Sequence, residues 1–166
     1  AGMQLLAVLE EARRRSDCVI LPPTSQPHAH RSDEAVPADV LTFYESCGEA
    51  TFFAGTTGEM RILSPERVVP ANPTIVGDPG DDDPVSRSSY LIASNSTGDF
   101  VTVDMSVERG GRLYDSFYEL HGVVGSWPVI AASFTTFIWD VWQTQGEYLF
   151  WTSERHEKPF PDAYGQ

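Results

Sequence analysis

Ser89-Tyr-Leu-Ile-Ala93, Phe100-Val-Thr-Val-Asp104 and Arg112-Leu-Tyr-Asp-Ser-Phe-Tyr118 are the three runs that decide the fold. Each is short and rich in β-branched or aromatic residues. Phe100, Thr102 and Asp104 alternate with Val101 and Val103, the two-residue period of a strand with unlike faces. Asn95-Ser-Thr-Gly-Asp99 and the Gly110-Gly111 step separate the runs. Connections this short suit hairpins and leave no room for the crossover helix that parallel strands need, so the sheet is predicted to be mainly antiparallel. Upstream, Thr51-Phe-Phe-Ala54 and Glu59-Met-Arg-Ile-Leu63 read as another hairpin, turning at Gly55 to Gly58. Cys18-Val-Ile-Leu21 is a short strand or a buried anchor.

Three helices frame these strands. From Met3 to Arg15, Leu5, Leu6, Leu9 and Ala12 share a stripe, Glu10 and Glu11 face away, and Arg13-Arg14-Arg15 sit where positive charge suits the helix dipole. From Pro37 to Cys47, proline suits the first turn, Val40, Leu41, Phe43 and Tyr44 make the apolar face, and Gly48 closes the end. From Ser133 to Thr144, Phe134, Phe137, Ile138, Val141 and Trp142 face one way behind a Ser133 cap. Ser64 to Val68 reads as a short helical turn opened by Pro65. Ser16 to Val36 and Pro70 to Ser86 are irregular and proline-rich. The tail from Gly146 to Gln166 carries Tyr148, Phe150, Trp151, Phe160 and Tyr164, too aromatic to be left free. It packs on the body, starting as an added strand from Tyr148 to Thr152, or meets a partner. Together these elements predict an α+β fold, a twisted, mainly antiparallel sheet with helices packed on one side.

With 166 residues, 41% of them hydrophobic, the chain has the size and apolar content of one domain, taken as residues 3–166 with a core at 3–143 and an extension at 144–166. Ala1-Gly2 ahead of Met3 is set aside as foreign to the fold. Eleven Lys and Arg against 24 Asp and Glu give a net charge of −13. Nucleic acids and anionic membranes demand the opposite sign, so neither is an expected partner; a basic protein is, unless the charge serves solubility alone. Two cysteines, Cys18 and Cys47, make no disulfide framework or Cys-x-x-Cys pair. No run approaches the length of a membrane span and no basic-then-apolar leader opens the chain, so a cytoplasmic location is expected.

Catalytic patterns are sparse. Phosphate-binding glycine loops and a nucleophile-elbow serine are both missing from the sequence. His28-Ala29-His30 has metal-binding spacing but no Cys or acidic partner at ligand distance in sequence. His121 can be paired on paper with Cys47, or with a serine and Asp104 or Asp115, and Asp104, Asp115 and Glu119 can be written as acid–base pairs or as partners of Arg109 and Arg112. Residue types alone permit this in any acidic chain. No enzyme activity, cofactor or metal is expected.

The order of three segments resembles the SUKH superfamily, which includes yeast cell-wall assembly regulators, the bacterial Syd protein and immunity proteins of polymorphic-toxin systems. Val36-Pro37-Ala-Asp-Val-Leu-Thr-Phe-Tyr-Glu-Ser-Cys47-Gly48 looks like the family's Leu-Pro-helix segment, Gly98-Asp99-Phe-Val-Thr-Val-Asp104 like its Gly-Asp strand, and Val129-Ile-Ala-Ala-Ser133-Phe134-Thr-Thr-Phe137-Ile138 like its closing helix. Cys47 stands where the family has Asn, and the tail beyond Thr144 is extra. The resemblance implies a sheet and loops that bind protein rather than an active site. The expected function is that of an immunity protein neutralising a basic toxin domain, a nuclease for instance. The alternative is a regulatory or scaffold module of the same fold with no toxin. In either case the acidic loop Asp78, Asp81, Asp82 and Asp83 is the expected contact, with Tyr118 and Trp127 as aromatic anchors unless they pack in the core. Oligomeric state is left open.

Overall fold

A computed structural model describes residues 2–160 and 162–165. Ala1, set aside above, lies outside them, as does Gln166, the last residue of the expected domain. Seven strands form a single sheet in strict sequence order, every neighbouring pair antiparallel. They are β1 (Val19–Leu21), β2 (Glu49–Phe52), β3 (Met60–Ile62), β4 (Ser89–Asn95), β5 (Phe100–Asp104), β6 (Leu113–Ser116) and β7 (Val129–Ala131). The helices α1 (Gly2–Ala12), α2 (Ala38–Ser46) and α4 (Phe134–Thr144) pack on one another, while α3 (Asn72–Ile75) is a single turn. The α+β expectation and the meander agree with this structure. No described helix is long and apolar enough to cross a membrane.

The strand period assigns the faces. Val101 and Val103 of β5, Leu113 of β6, Tyr90 and Ile92 of β4, and Phe52 of β2 point to the helices, where they meet Leu5, Leu9, Val40, Phe43, Phe134, Phe137 and Ile138. Burying one such side chain contributes on the order of 1.5–3 kcal/mol, so this layer holds the molecule together. A bulge between Leu91 and Ala93 lets consecutive Ile92 and Ala93 both join it. Ser133 caps α4 as expected, its hydroxyl accepting from the Thr136 N–H at 3.1 Å. The carboxylate of Asp39, at the start of α2, accepts from the Thr135 N–H at 2.8 Å, so one helix caps the next.

Several elements differ from expectation. α1 stops at Ala12, and it includes Gly2. Arg13 reaches across to the Ser46 carbonyl at 2.9 Å, and Arg15 turns to Asp17 and lies over the rings of Phe53 and Trp142. Side-chain contacts with α2 and α4 thus take the place of further helix. Leu6 is exposed, and Val8 takes its place on the stripe. β7 went unseen because three apolar residues running into a helix carry no period of their own. The strand expected at Tyr148 to Thr152 is a 3-10 turn, Phe150–Thr152. Phe150 and Trp151 both pack on Phe137, which alternating strand side chains would not do. The tail joins the sheet later, where Phe160 bridges Val129 on the β7 edge.

The opposite sheet face is covered only over β4 to β7. Leu91 packs with Leu63 and Ala71, and Tyr114 and Val129 pack with Trp127 and Ala163. This second layer contains charge. Asp104 is fully buried, and its carboxylate accepts from Arg109 Nε at 2.6 Å, from the Ser106 N–H at 2.9 Å and from the Tyr114 hydroxyl. Removing one side of such a buried pair leaves the other without a partner, at a cost of about 3–5 kcal/mol. Asp104→Ala is expected to lower stability by about that amount, read as a drop in urea midpoint with unchanged slope; a loss under about 1 kcal/mol would contradict the network.

Candidate functional site

Pro70 to Ser86 folds over the second face through one buried side chain. The Asn72 Nδ2 group donates to the Pro79 carbonyl and to Ser86 Oγ, each at 3.1 Å, which draws the acidic loop back over α3. Gly80 sits at φ +64° with Asn72 Nδ2 only 2.3 Å from where a Cβ would stand, so no side chain fits there. Donation by Nδ2 fixes the amide orientation and leaves Oδ1 to accept from His121 Nε2 at 2.6 Å. His121 Nδ1 then accepts from Ser116 Oγ at 3.0 Å, and Ser116 Oγ accepts from Trp127 Nε1 at 3.2 Å and from Thr102 Oγ1 at 2.8 Å. Every hydrogen in this chain has an acceptor.

His121 is 5% exposed, and burial pushes its pKa down to about 4 despite the opposing influence of Asp83. Both ring nitrogens are engaged, so it has no free base to offer. Cys47 lies in the helix-side core, where burial pushes its thiol up to about 12. Neither Asp104 nor Asp115 lines the cavity at His121. Cys47, Asp104 and Asp115 are therefore not brought to His121, whose ring nitrogens meet Ser116 and Asn72 instead. Among the described residues no group of three or more His, Cys, Asp or Glu is placed to hold a metal ion.

Two adjoining cavities open above the network. One of about 380 Å³ is lined by Asn72, Val76, Asp78, Asp82, Asp83 and His121 among others. The other, about 160 Å³, is lined by Thr74, Ile75, Asp99, Phe100, Ser116 and Tyr118 among others. α3 supplies a wall to both, and the Ser116–His121 bond joins their floors. Four aspartates line the pair, and neither contains a Lys or Arg.

The expected contact residues divide. Asp78 and Asp82 are exposed in this face. Asp81 turns away to pair with Arg31. Asp83 is half-buried and accepts from the Tyr164 hydroxyl and from the Val85 N–H at 3.0 Å. Burial alone would raise its pKa, but these hydrogen bonds outweigh it and hold the carboxyl below its ordinary value. Tyr118 is 63% exposed, with its hydroxyl 3.2 Å from Glu119. Trp127 takes the core place that was the alternative to an anchor. It is 0% exposed, 4.3 Å from the Tyr114 ring, and it supports Ser116 from below. An apolar ring beside a second apolar ring gains more by leaving water than by waiting at the surface. Asn72 and Ser116, which shape the face together with His121, escaped notice because a buried polar chain has no sequence period.

The pH dependence follows. In the unfolded chain His121 titrates near 6.5, but in the fold near 4. Between these values the unfolded state binds the proton first, so stability is complete above pH 6.5 and falls as pH drops towards 4. The loss is about 3 kcal/mol. His121→Gln is expected to flatten the decline of urea midpoint between pH 7 and pH 4; an unchanged slope would remove His121 as its source.

No protein-family model matches the chain, and no solved structure matches it either. Among curated proteins, the chain is similar to the immunity protein YokJ of Bacillus subtilis strain 168, with 30% identity over 162 residues. The match takes in 98% of this chain and 96% of YokJ, so nearly all of the tail beyond Thr144 is included. At that identity, over almost the whole of both, the chain belongs to the family of the immunity protein YokJ.

Proposed function

We propose that this chain is an immunity protein, one that binds a cognate toxin and blocks it without catalysis. The kinship with YokJ along nearly the full chain carries this reading, and the SUKH resemblance points the same way. The acidic face supplies a physical means. Asp78, Asp82 and Asp99 stand around the two cavities without a basic residue in either lining. The net charge of −13 extends that field. A toxin that grips an anionic substrate, as a nuclease does, presents a basic cleft. An acidic face is drawn to such a cleft and covers it.

The test uses the polypeptide encoded directly upstream of this chain's gene. Co-expression is expected to restore growth that the polypeptide alone arrests, and the two are expected to bind in a titration at low salt. Asp78→Asn with Asp82→Asn is expected to slow association by on the order of tenfold and to weaken its dependence on salt. A neighbour that arrests nothing and binds nothing would overturn the reading. Binding with an unaltered association rate and salt dependence in the double variant would overturn the acidic mechanism.

A further inference from the structure

The acidic cavities are bordered by apolar side chains that the electrostatic account leaves unused. Of ten large hydrophobic residues exposed among those described, four fall on two adjoining segments: Val76 just past α3, and Tyr118, Val123 and Val124 in the loop from Phe117 to Ser126. Val76 and Gly122 both line the larger cavity, and Val123 and Val124 follow that glycine in the chain. Val124 is 73% exposed and Tyr118 63%, more than a packing role would leave.

This loop is held firmly. Turns close it internally, the Leu120 N–H reaching the Phe117 carbonyl at 2.8 Å and the Val123 N–H the Leu120 carbonyl at 3.1 Å. The tail clasps it from outside. The Asp162 carboxylate accepts from the Gly125 N–H at 2.8 Å and the Trp127 N–H at 3.0 Å. The Tyr164 hydroxyl donates to Asp83, and it lies 3.0 Å from the Gly122 carbonyl, so one side chain spans the acidic loop and the valine loop. Exposed apolar groups on a rigid loop present a fixed shape and pay little ordering entropy when covered.

We infer that Val76, Tyr118, Val123 and Val124 form the dry centre of the partner contact, with Asp78, Asp82, Asp99 and Glu119 as its acidic rim. This rests on the immunity reading above and names the partner's chemistry: a protein surface whose apolar or aromatic knob is ringed by Lys or Arg. The charge around the patch selects that occupant. A second copy of this chain would bring the same acids against themselves. An apolar centre within a polar rim is the anatomy of stable protein contacts, and tyrosine is among the residues that dominate their energy.

Val124→Asp separates the two contributions, because it adds a favourable charge towards a basic partner while spoiling an apolar contact. With the upstream-encoded polypeptide as probe, Val124→Asp and Tyr118→Ala are each expected to speed dissociation by about tenfold or more, with association not slowed by either. Val107→Asp, the same change at a valine 67% exposed outside this patch, is the control and should leave dissociation as it was. Amide exchange of the unaltered chain should show protection over 117–125 in the complex, which needs no variant to fold. Equal or tighter binding by Val124→Asp, or no protection over that loop, would overturn the inference and leave the immunity reading standing. Absence of any complex would overturn both.

Discussion

A carboxylate can be kept from water only if other groups replace the water, and Asp104 imposes that condition on the second face of the sheet. It sits at the end of β5, fully buried, and draws in Arg109, Tyr114 and the turn at Ser106. Tyr114 in turn stacks near Trp127, and Arg112 beside it donates to the Ala163 carbonyl. Thr102 and Ser116, on the same face, impose the same condition on a smaller scale and meet it through Trp127, His121 and Asn72. The helix side of the sheet could be repacked with other apolar residues of similar volume and still hold. The second face has no such latitude, since each polar atom there names its partner.

This difference explains what was legible in the sequence. Apolar period is a repeated signal, so the meander, the three long helices and the Ser133 cap were all readable. What decides the second face is pairwise: Asn72 with His121, Asp162 with the Trp127 backbone, Tyr164 with Asp83, each tens of residues apart. Nothing local marks such pairs. Tyr118 and Trp127 looked equivalent as anchors in the sequence, yet the loop between them turns one outward and folds the other beneath Ser116. The acidic run looked uniform as well. The fold gives its members separate duties, with Asp81 held by Arg31, Asp83 by Tyr164, and Asp78 and Asp82 left facing solvent.

The two faces therefore divide the work. Helices and inward strand residues supply cohesion, which tolerates exchange among apolar side chains. The second face supplies shape, and its hydrogen bonds hold a loop and a turn of helix at fixed positions around two small cavities. A protein that must recognise one partner among many benefits from such rigidity, because little order has to be imposed at the moment of contact.

The clasp also sets an order of events at the ribosome. The helix-side core draws on residues from Leu5 to Phe150 and can begin to form while the chain is still being made. Gly122, Gly125 and Trp127 wait for Asp162, Ala163 and Tyr164. Until residue 164 has emerged from the exit tunnel, the nascent chain has its body but not its finished face. A product cut short before residue 162 would keep the helix-side core yet lack the carboxylate that holds Gly125 and Trp127.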